Sequence, residues 1–365
     1  MKEIRKHNKQ WNNLIRFLSR FSLFVFIING LLTSSLFAQN EVAQNTSEYF
    51  LERANAVKYA IIMTGPSVGD DSASQFRQWA FSLHDILARD YGYDSNSISL
   101  LHDNGDSSII GGERIDAACD IEGIQEQFLA LRNKVKAGDQ ITVFLIGHGS
   151  GAEEESKFNI VGPDITGIEF AGILDQFDEQ DMVIVNTTSA SYGFSASLSS
   201  EGRVVISSTR SSSERYDPVF SRYFIEALDG RNGDRDKNNR VSMLEAFNYA
   251  KSNVEAWYED QGRLASEHAG LDDNGDSLFA LEPTVDVADG RLAEIAYIDG
   301  LKDSIEGLSA RAVGLKGRMQ EIERSVFILR GRKADFLEAD YWQQLQELLV
   351  DLARTTGQFN EQVEQ

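Results

Sequence analysis

The sequence has one cysteine, Cys119, so no disulfide can form within the chain. A domain of this size does not need one, even outside the cell. Cys119 sits in Ala117-Ala118-Cys119-Asp120, which reads as a helix entrance, and is expected to be a small packing residue rather than a reactive thiol. Basic residues are also scarce: 35 Lys and Arg face 57 Asp and Glu, for a net charge of −22. That balance excludes nucleic acid as a partner, because too little positive charge is left to neutralise phosphates. It is compatible with a cationic partner or with calcium.

Long hydrophobic runs are missing but for one, at 21–37, which Asn29 and Gly30 interrupt. Its length lies at the short end for spanning a bilayer. Six basic residues precede it (Lys2, Arg5, Lys6, Lys9, Arg16, Arg20), and Ala38 follows, before Gln39-Asn40. This reads as a signal peptide over 1–38, cleaved after Ala38, with a retained anchor helix as the alternative. The expectation is an exported protein, periplasmic or extracellular, with no stable membrane span after cleavage. No cysteine follows the run, which argues against a lipoprotein.

What remains is built for a core, with 42% apolar and 10% aromatic residues. After a polar leader at 39–56, short apolar runs alternate with segments of helical spacing. Strands are predicted at 57–64, 98–101, 141–146, 182–185 and 204–207. Helices are predicted at 70–91, 120–134, 167–177 and 219–228. Such alternation implies an α/β fold with a mostly parallel sheet covered by helices on both faces. Working residues in such sheets lie just past the carboxyl ends of the strands. Here that rule points to Gly65, His148, the 186–193 stretch and Thr209-Arg210. The domain is expected to run over 57–285. Residues 286–365 are expected to form a helical extension, as a hairpin or coiled coil. One apolar stripe there holds Leu315, Met319, Ile322, Val326, Ile328 and Leu329; a second holds Tyr341, Leu345, Leu348, Leu349 and Leu352. The extension either packs back on the domain or serves as an oligomerisation or partner arm.

His148 follows the third strand directly and stands between Gly147 and Gly149. A histidine there faces the crevice and suits a general base or acid; the plainer reading is a capping residue in a tight turn. Gly149 frees a backbone N–H for close approach to a ligand. The fourth strand runs into Asn186-Thr187-Thr188-Ser189-Ala190-Ser191-Tyr192-Gly193, a small-residue, hydroxyl-rich turn. A nucleophile on such a turn would have its oxygen exposed, although serine-rich turns also serve ordinary capping.

Together, the strand-Gly-His-Gly-Ser pattern and the second apolar strand with its small-residue turn resemble the C13 peptidases of the caspase-like fold. That family holds legumain and the catalytic subunit of the GPI transamidase. The resemblance covers roughly 57–280 and includes Phe76-Arg77-Gln78-Trp79-Ala80 at the first helix. It implies a caspase-like fold and a substrate-recognition role for Arg77. It also implies that Ser189 occupies the position of the family's catalytic cysteine. A thiol near pKa 8.5 is readily drawn down to a thiolate, whereas a hydroxyl needs a base in hydrogen-bond contact. The reading is therefore a pseudopeptidase, catalytically impaired, that binds a peptide or protein partner. The alternative is an active hydrolase, endopeptidase or transpeptidase using Ser189 with His148. A third reading is a calcium-stabilised structural component of an envelope complex.

Residues 234–245 fit an EF-hand loop. Asp234, Asp236 and Asn238 stand at positions 1, 3 and 5, the Arg240 carbonyl at 7, Ser242 at 9 and Glu245 at 12. Asn239 replaces the usual glycine at position 6 and is the next most tolerant residue for a left-handed turn. The pattern predicts a structural Ca2+ site. The stretches 102–106 and 272–276 look related but have no glutamate at the right distance, and are read as turns.

Overall fold

The computed structural model describes residues 48–363, apart from 52, 54, 55, 68 and 301–306. The segment expected to be a signal peptide and the first part of the expected leader lie outside the described residues. A six-stranded sheet forms the centre, in the order β2-β1-β3-β7-β8-β9. Its strands are β1 (Lys58–Thr64), β2 (Ile98–His102), β3 (Gln140–Ile146), β7 (Asp181–Asn186), β8 (Arg203–Ser207) and β9 (Gly270–Asp272). The first five run parallel, and only β9 runs antiparallel, against β8. This is an α/β caspase-like layout. The edge strand β9, three residues long, has no counterpart in the sequence reading.

Side chains alternate across a strand, so each strand feeds two cores. Ile62, Phe144, Val185 and Ile206 face one side. There they meet Phe76, Leu83 and Leu87 of α1 (Asp70–Asp90), Phe220 and Phe224 of α5 (Phe220–Leu228), and Phe247 of α6 (Met243–Asp260). Ile61, Val143, Leu145 and Ile184 face the other side. They meet Phe128 of α2 (Ile121–Arg132), Phe170 of α3 (Gly167–Leu174) and Phe194 of α4 (Tyr192–Leu198). Burial on both faces explains why the strands read as unbroken apolar runs. Each large side chain buried there stabilises the fold by roughly 1.5–3 kcal/mol. Cys119 is fully buried in the second core, and burial pushes its thiol pKa up, as expected of a packing residue.

Local signals set the helix starts. Thr166 and Glu169 form a capping box at α3, Ser242 and Glu245 form another at α6, and Asp120 caps α2. A small antiparallel sheet of β4 (Gly149–Ser150), β5 (Lys157–Phe158) and β6 (Ile165–Thr166) leaves the main sheet directly after His148.

The C-terminal residues form a helical hairpin of α8 (Ala310–Gly331) and α9 (Glu338–Val363), preceded by the short α7 (Arg291–Ile295). Ile322, Val326 and Leu329 of α8 pack on Tyr341 and Leu345 of α9. The opposite side of α8 packs on the α/β domain. Phe327 enters the main core, and Arg330 reaches Glu294 at 2.8 Å. Wedged between two partners, α8 is apolar on more than one side. Residues 292–298 also contribute to the main core.

Candidate functional site

The register of the sheet brings two loops together. Strand β3 pairs with β7 so that Leu145 faces Asn186; continued past both strands, the same offset sets His148 beside Ser189. The loops do touch there. Gly149 donates its N–H to Ser189 Oγ at 3.3 Å. A Cβ at Gly149 would lie 2.3 Å from the Ser189 carbonyl oxygen, so only glycine permits this approach. Gly147, at φ +141, turns the chain out of the strand, and the His148 carbonyl is held by Asn159 N–H at 3.0 Å.

The imidazole is wired on both nitrogens. Nδ1 lies 2.9 Å from Asp217 Oδ1, and Nε2 lies 3.2 Å from Ser67 Oγ. The Phe76 ring meets its edge with centroids 5.1 Å apart. The second carboxylate oxygen of Asp217 accepts from Ser72 Oγ at 3.0 Å. The hydrogen bond from His148 holds the Asp217 carboxyl below the usual carboxylate range, against the opposing effect of its partial burial. Four segments build this cluster: the turn after β1 (Ser67), α1 (Ser72 and Phe76), the loop after β3 (His148) and the segment between β8 and α5 (Asp217). Ser67, His148 and Asp217 are all half-buried, which leaves them reachable.

The turn after β7 is different. The expected exposed oxygen at Ser189 is absent, since the residue is only 3% exposed. Among the described residues no hydrogen bond joins its hydroxyl to the imidazole. Its neighbours are consumed by the fold. Ser191 Oγ meets the hydroxyls of Ser207, Ser208 and Thr209 at 2.9, 3.2 and 3.0 Å. Asn186 Oδ1 accepts from Thr188 Oγ1 at 2.7 Å, and Thr187 Oγ1 donates to the Leu145 carbonyl at 2.9 Å. Ala190 adopts a left-handed φ of 49°, and its N–H is held by the Glu214 carbonyl at 2.8 Å. These hydroxyls close a tight turn with protein partners.

Arg77 is half-buried on α1 and makes no hydrogen bond or ion pair among the described residues; its charge acts on His102 at the end of β2. Beyond the Ser189 turn opens a groove of about 480 Å³. Glu153, Glu154, Tyr192, Gly193 and the exposed Arg210 line it. Thus the sequence located His148, Gly149 and the Thr209-Arg210 end, but missed Ser67 and Asp217. Gly65-Pro66, which ends β1, was the available signal for Ser67. Asp217 precedes Pro218 far from any recognisable motif.

A second cluster lies in the 234–245 loop. Asp234, Asp236 and Glu245 offer oxygens that lie within 4.8 Å of one another. Asn239 takes the left-handed conformation expected of it, at φ 66°. Asn238 Oδ1 accepts from Arg240 N–H at 2.8 Å, and Ser242 Oγ caps α6. Glu245 Oε1 accepts from the Arg235 and Asp236 N–H groups at 2.9 and 3.3 Å. The residue Asp236 is exposed as a whole, yet loss of water around its carboxyl, and then the charge of Glu245, push it up to about 7. The direction fits carboxylates crowded together. Two features went unread in the sequence. Glu323 of α8 reaches Asn238 Nδ2 at 3.3 Å and Tyr297 Oη at 3.3 Å. The Arg240 side chain is buried and pairs with Asp299 at 2.9 Å. The stretches 102–106 and 272–276 form turns, with Asp272 accepting from Asn274 and Gly275 N–H.

No family model matches the chain, and a search of curated proteins returns no match. Among the described residues no helix is long and apolar enough to cross a membrane.

Proposed function

We propose that the chain is an exported, caspase-like protein of the C13 peptidase kind that binds a peptide or protein ligand at its strand ends and does not cut it through residue 189. One observation carries this reading: Ser189 is 3% exposed and its hydroxyl takes the Gly149 N–H, while His148 is engaged elsewhere. A thiol could ionise at such a remove from its base; a hydroxyl must hand its proton directly to one. Reaching a carbonyl would also require the turn to open.

Binding has better support. The groove beside Tyr192 and Gly193 carries Arg210 on its rim, where Glu214 holds only its Nε at 3.3 Å, and Arg77 stands on α1, outside that groove, half-buried. Both suit an acidic or Asn-bearing side chain. Titration of the mature protein with fluorescent Asp- and Asn-bearing peptides tests this. Saturable binding is expected, weakened roughly tenfold, or about 1.4 kcal/mol, by Arg210→Ala. A flat titration would end the reading.

The rival is a hydrolase using Ser189 with His148. An Asn- or Asp-peptide ester assay separates the two, since loss of robust turnover in Ser189→Ala would favour the rival. In either case the 234–245 loop is read as a structural calcium site, supported by its ligand spacing and its three converging carboxylates. Calorimetric titration with calcium should give a binding isotherm that Glu245→Gln abolishes. No heat, with an unchanged melting temperature in that variant, would reject it.

A further inference from the structure

We infer that His148 is the base of a Ser-His-Asp triad in which Ser67 is the nucleophile and Asp217 the orienting carboxylate, and that this site hydrolyses carboxylic esters. The inference goes beyond the binding reading and does not rest on it.

The geometry has three links in series. Ser67 Oγ lies 3.2 Å from Nε2, Nδ1 lies 2.9 Å from Asp217 Oδ1, and Ser72 Oγ holds the other Asp217 oxygen at 3.0 Å. This is the order a hydroxyl nucleophile requires: a base in hydrogen-bond reach, and a carboxylate that fixes the tautomer with Nε2 free to take a proton. The edge contact with Phe76 restricts rotation of the ring. Ser67 also meets the condition that Ser189 fails, for it is only half-buried in the loop after β1.

The chemistry balances without a cofactor. Ser67 Oγ bonds to the ester carbonyl carbon as its proton passes to His148 Nε2. The tetrahedral oxyanion collapses, the carbon–oxygen bond to the leaving group breaks, and the imidazolium protonates the departing alcohol. Water then repeats the sequence on the acyl-serine, releasing the carboxylic acid and regenerating Ser67. Esters are favoured over amides for a stated reason. The Gly149 N–H, the backbone donor adjoining His148, is already given to Ser189 Oγ, so oxyanion stabilisation is weak and a good leaving group is needed.

The test uses the full mature chain, a fluorophosphonate probe and p-nitrophenyl acetate. Peptide mapping by mass spectrometry is expected to find one adduct, on Ser67. Ser67→Ala should lose the adduct and about 10²-fold or more of the ester turnover. Asp217, a positioning residue, should lower kcat about tenfold or more as Asp217→Asn, with KM retained and the melting temperature near that of the wild type. Ser67→Cys gives a separate readout, because Cys119 is buried. Its new thiol should be alkylated by iodoacetamide faster than free cysteine, and this gain should vanish when His148→Ala is added. An adduct on Ser189, no adduct on protein of native melting temperature, or wild-type turnover in Ser67→Ala would each overturn the inference. Peptide binding without an adduct would defeat this site and leave the binding reading standing; an adduct without peptide binding would do the reverse.

Discussion

Two serines stand on turns at the same end of the sheet, and their surroundings could hardly differ more. Ser67 is half-buried, follows a Gly-Pro turn and touches an imidazole. Ser189 is buried in a turn where nearly every hydroxyl has a partner, and its own contact is a backbone N–H. A hydroxyl's chemistry depends on what stands beside it and on whether a substrate can reach it, not on its place in a motif. In a caspase-like sheet, the β7 turn can therefore become a structural knot while the β1 turn takes over the base.

The comparison can be broken most severely at the contact between the two loops. Gly149→Ala would drive a Cβ to 2.3 Å from the Ser189 carbonyl oxygen. Backbone must move, so a loss of roughly 3 kcal/mol or more in denaturant unfolding is expected. A neutral result would mean that the β3 and β7 loops do not meet as described. Next comes the knot itself. Ser191→Ala takes the acceptor from the buried Thr209 N–H and removes one contact from each of the Ser207, Ser208 and Thr209 hydroxyls, which keep their other partners. It should cost about 1–3 kcal/mol while ester turnover per folded molecule stays at the wild-type level. Destabilisation below a few tenths of a kcal/mol would show the network to be slack.

A smaller effect comes from pH. Burial pushes Asp181 and Asp273 up to about 6, and Glu267 and Asp289 up to about 7. Their folded values exceed their unfolded ones, so the folded state binds these protons more tightly. Their charged forms weaken the fold above pH 7, and that penalty is relieved as the pH falls through the folded values. The melting temperature should therefore rise between pH 8 and pH 6. Below about pH 4 stability should fall, because Asp85, Asp90 and Asp217 are held low by their partners and must be protonated. A flat profile between pH 8 and 6 would contradict the burial of these carboxylates. Least of all should Ser189→Ala matter, with one 3.3 Å hydrogen bond lost. About 1 kcal/mol or less is expected in thermal melts, and a collapse of the fold would mean that Ser189 anchors the turn.

The central strands were legible because burial on both faces leaves them almost wholly apolar, and His148 was legible because it ends such a strand between glycines. The 234–245 loop could be read because its oxygen-bearing residues recur at fixed intervals within one short segment. Ser67, Asp217 and Glu323 could not. Each reaches its partner from a segment distant in the chain, and no local spacing encodes that meeting. The burial of Ser189 was hidden for a related reason: a serine-rich turn reads the same whether its hydroxyls face water or one another. Strand β9 is too short for a periodic signal, and the inward turn of Arg240 toward Asp299 depends on a partner outside the loop.

The wiring of His148 is the point on which the account turns, and nitrogen-15 spectra of its ring report it directly. The ring resonances should move in Ser67→Ala and in Asp217→Asn and hold their positions in Ser189→Ala. Movement in Ser189→Ala with none in Ser67→Ala would contradict the account.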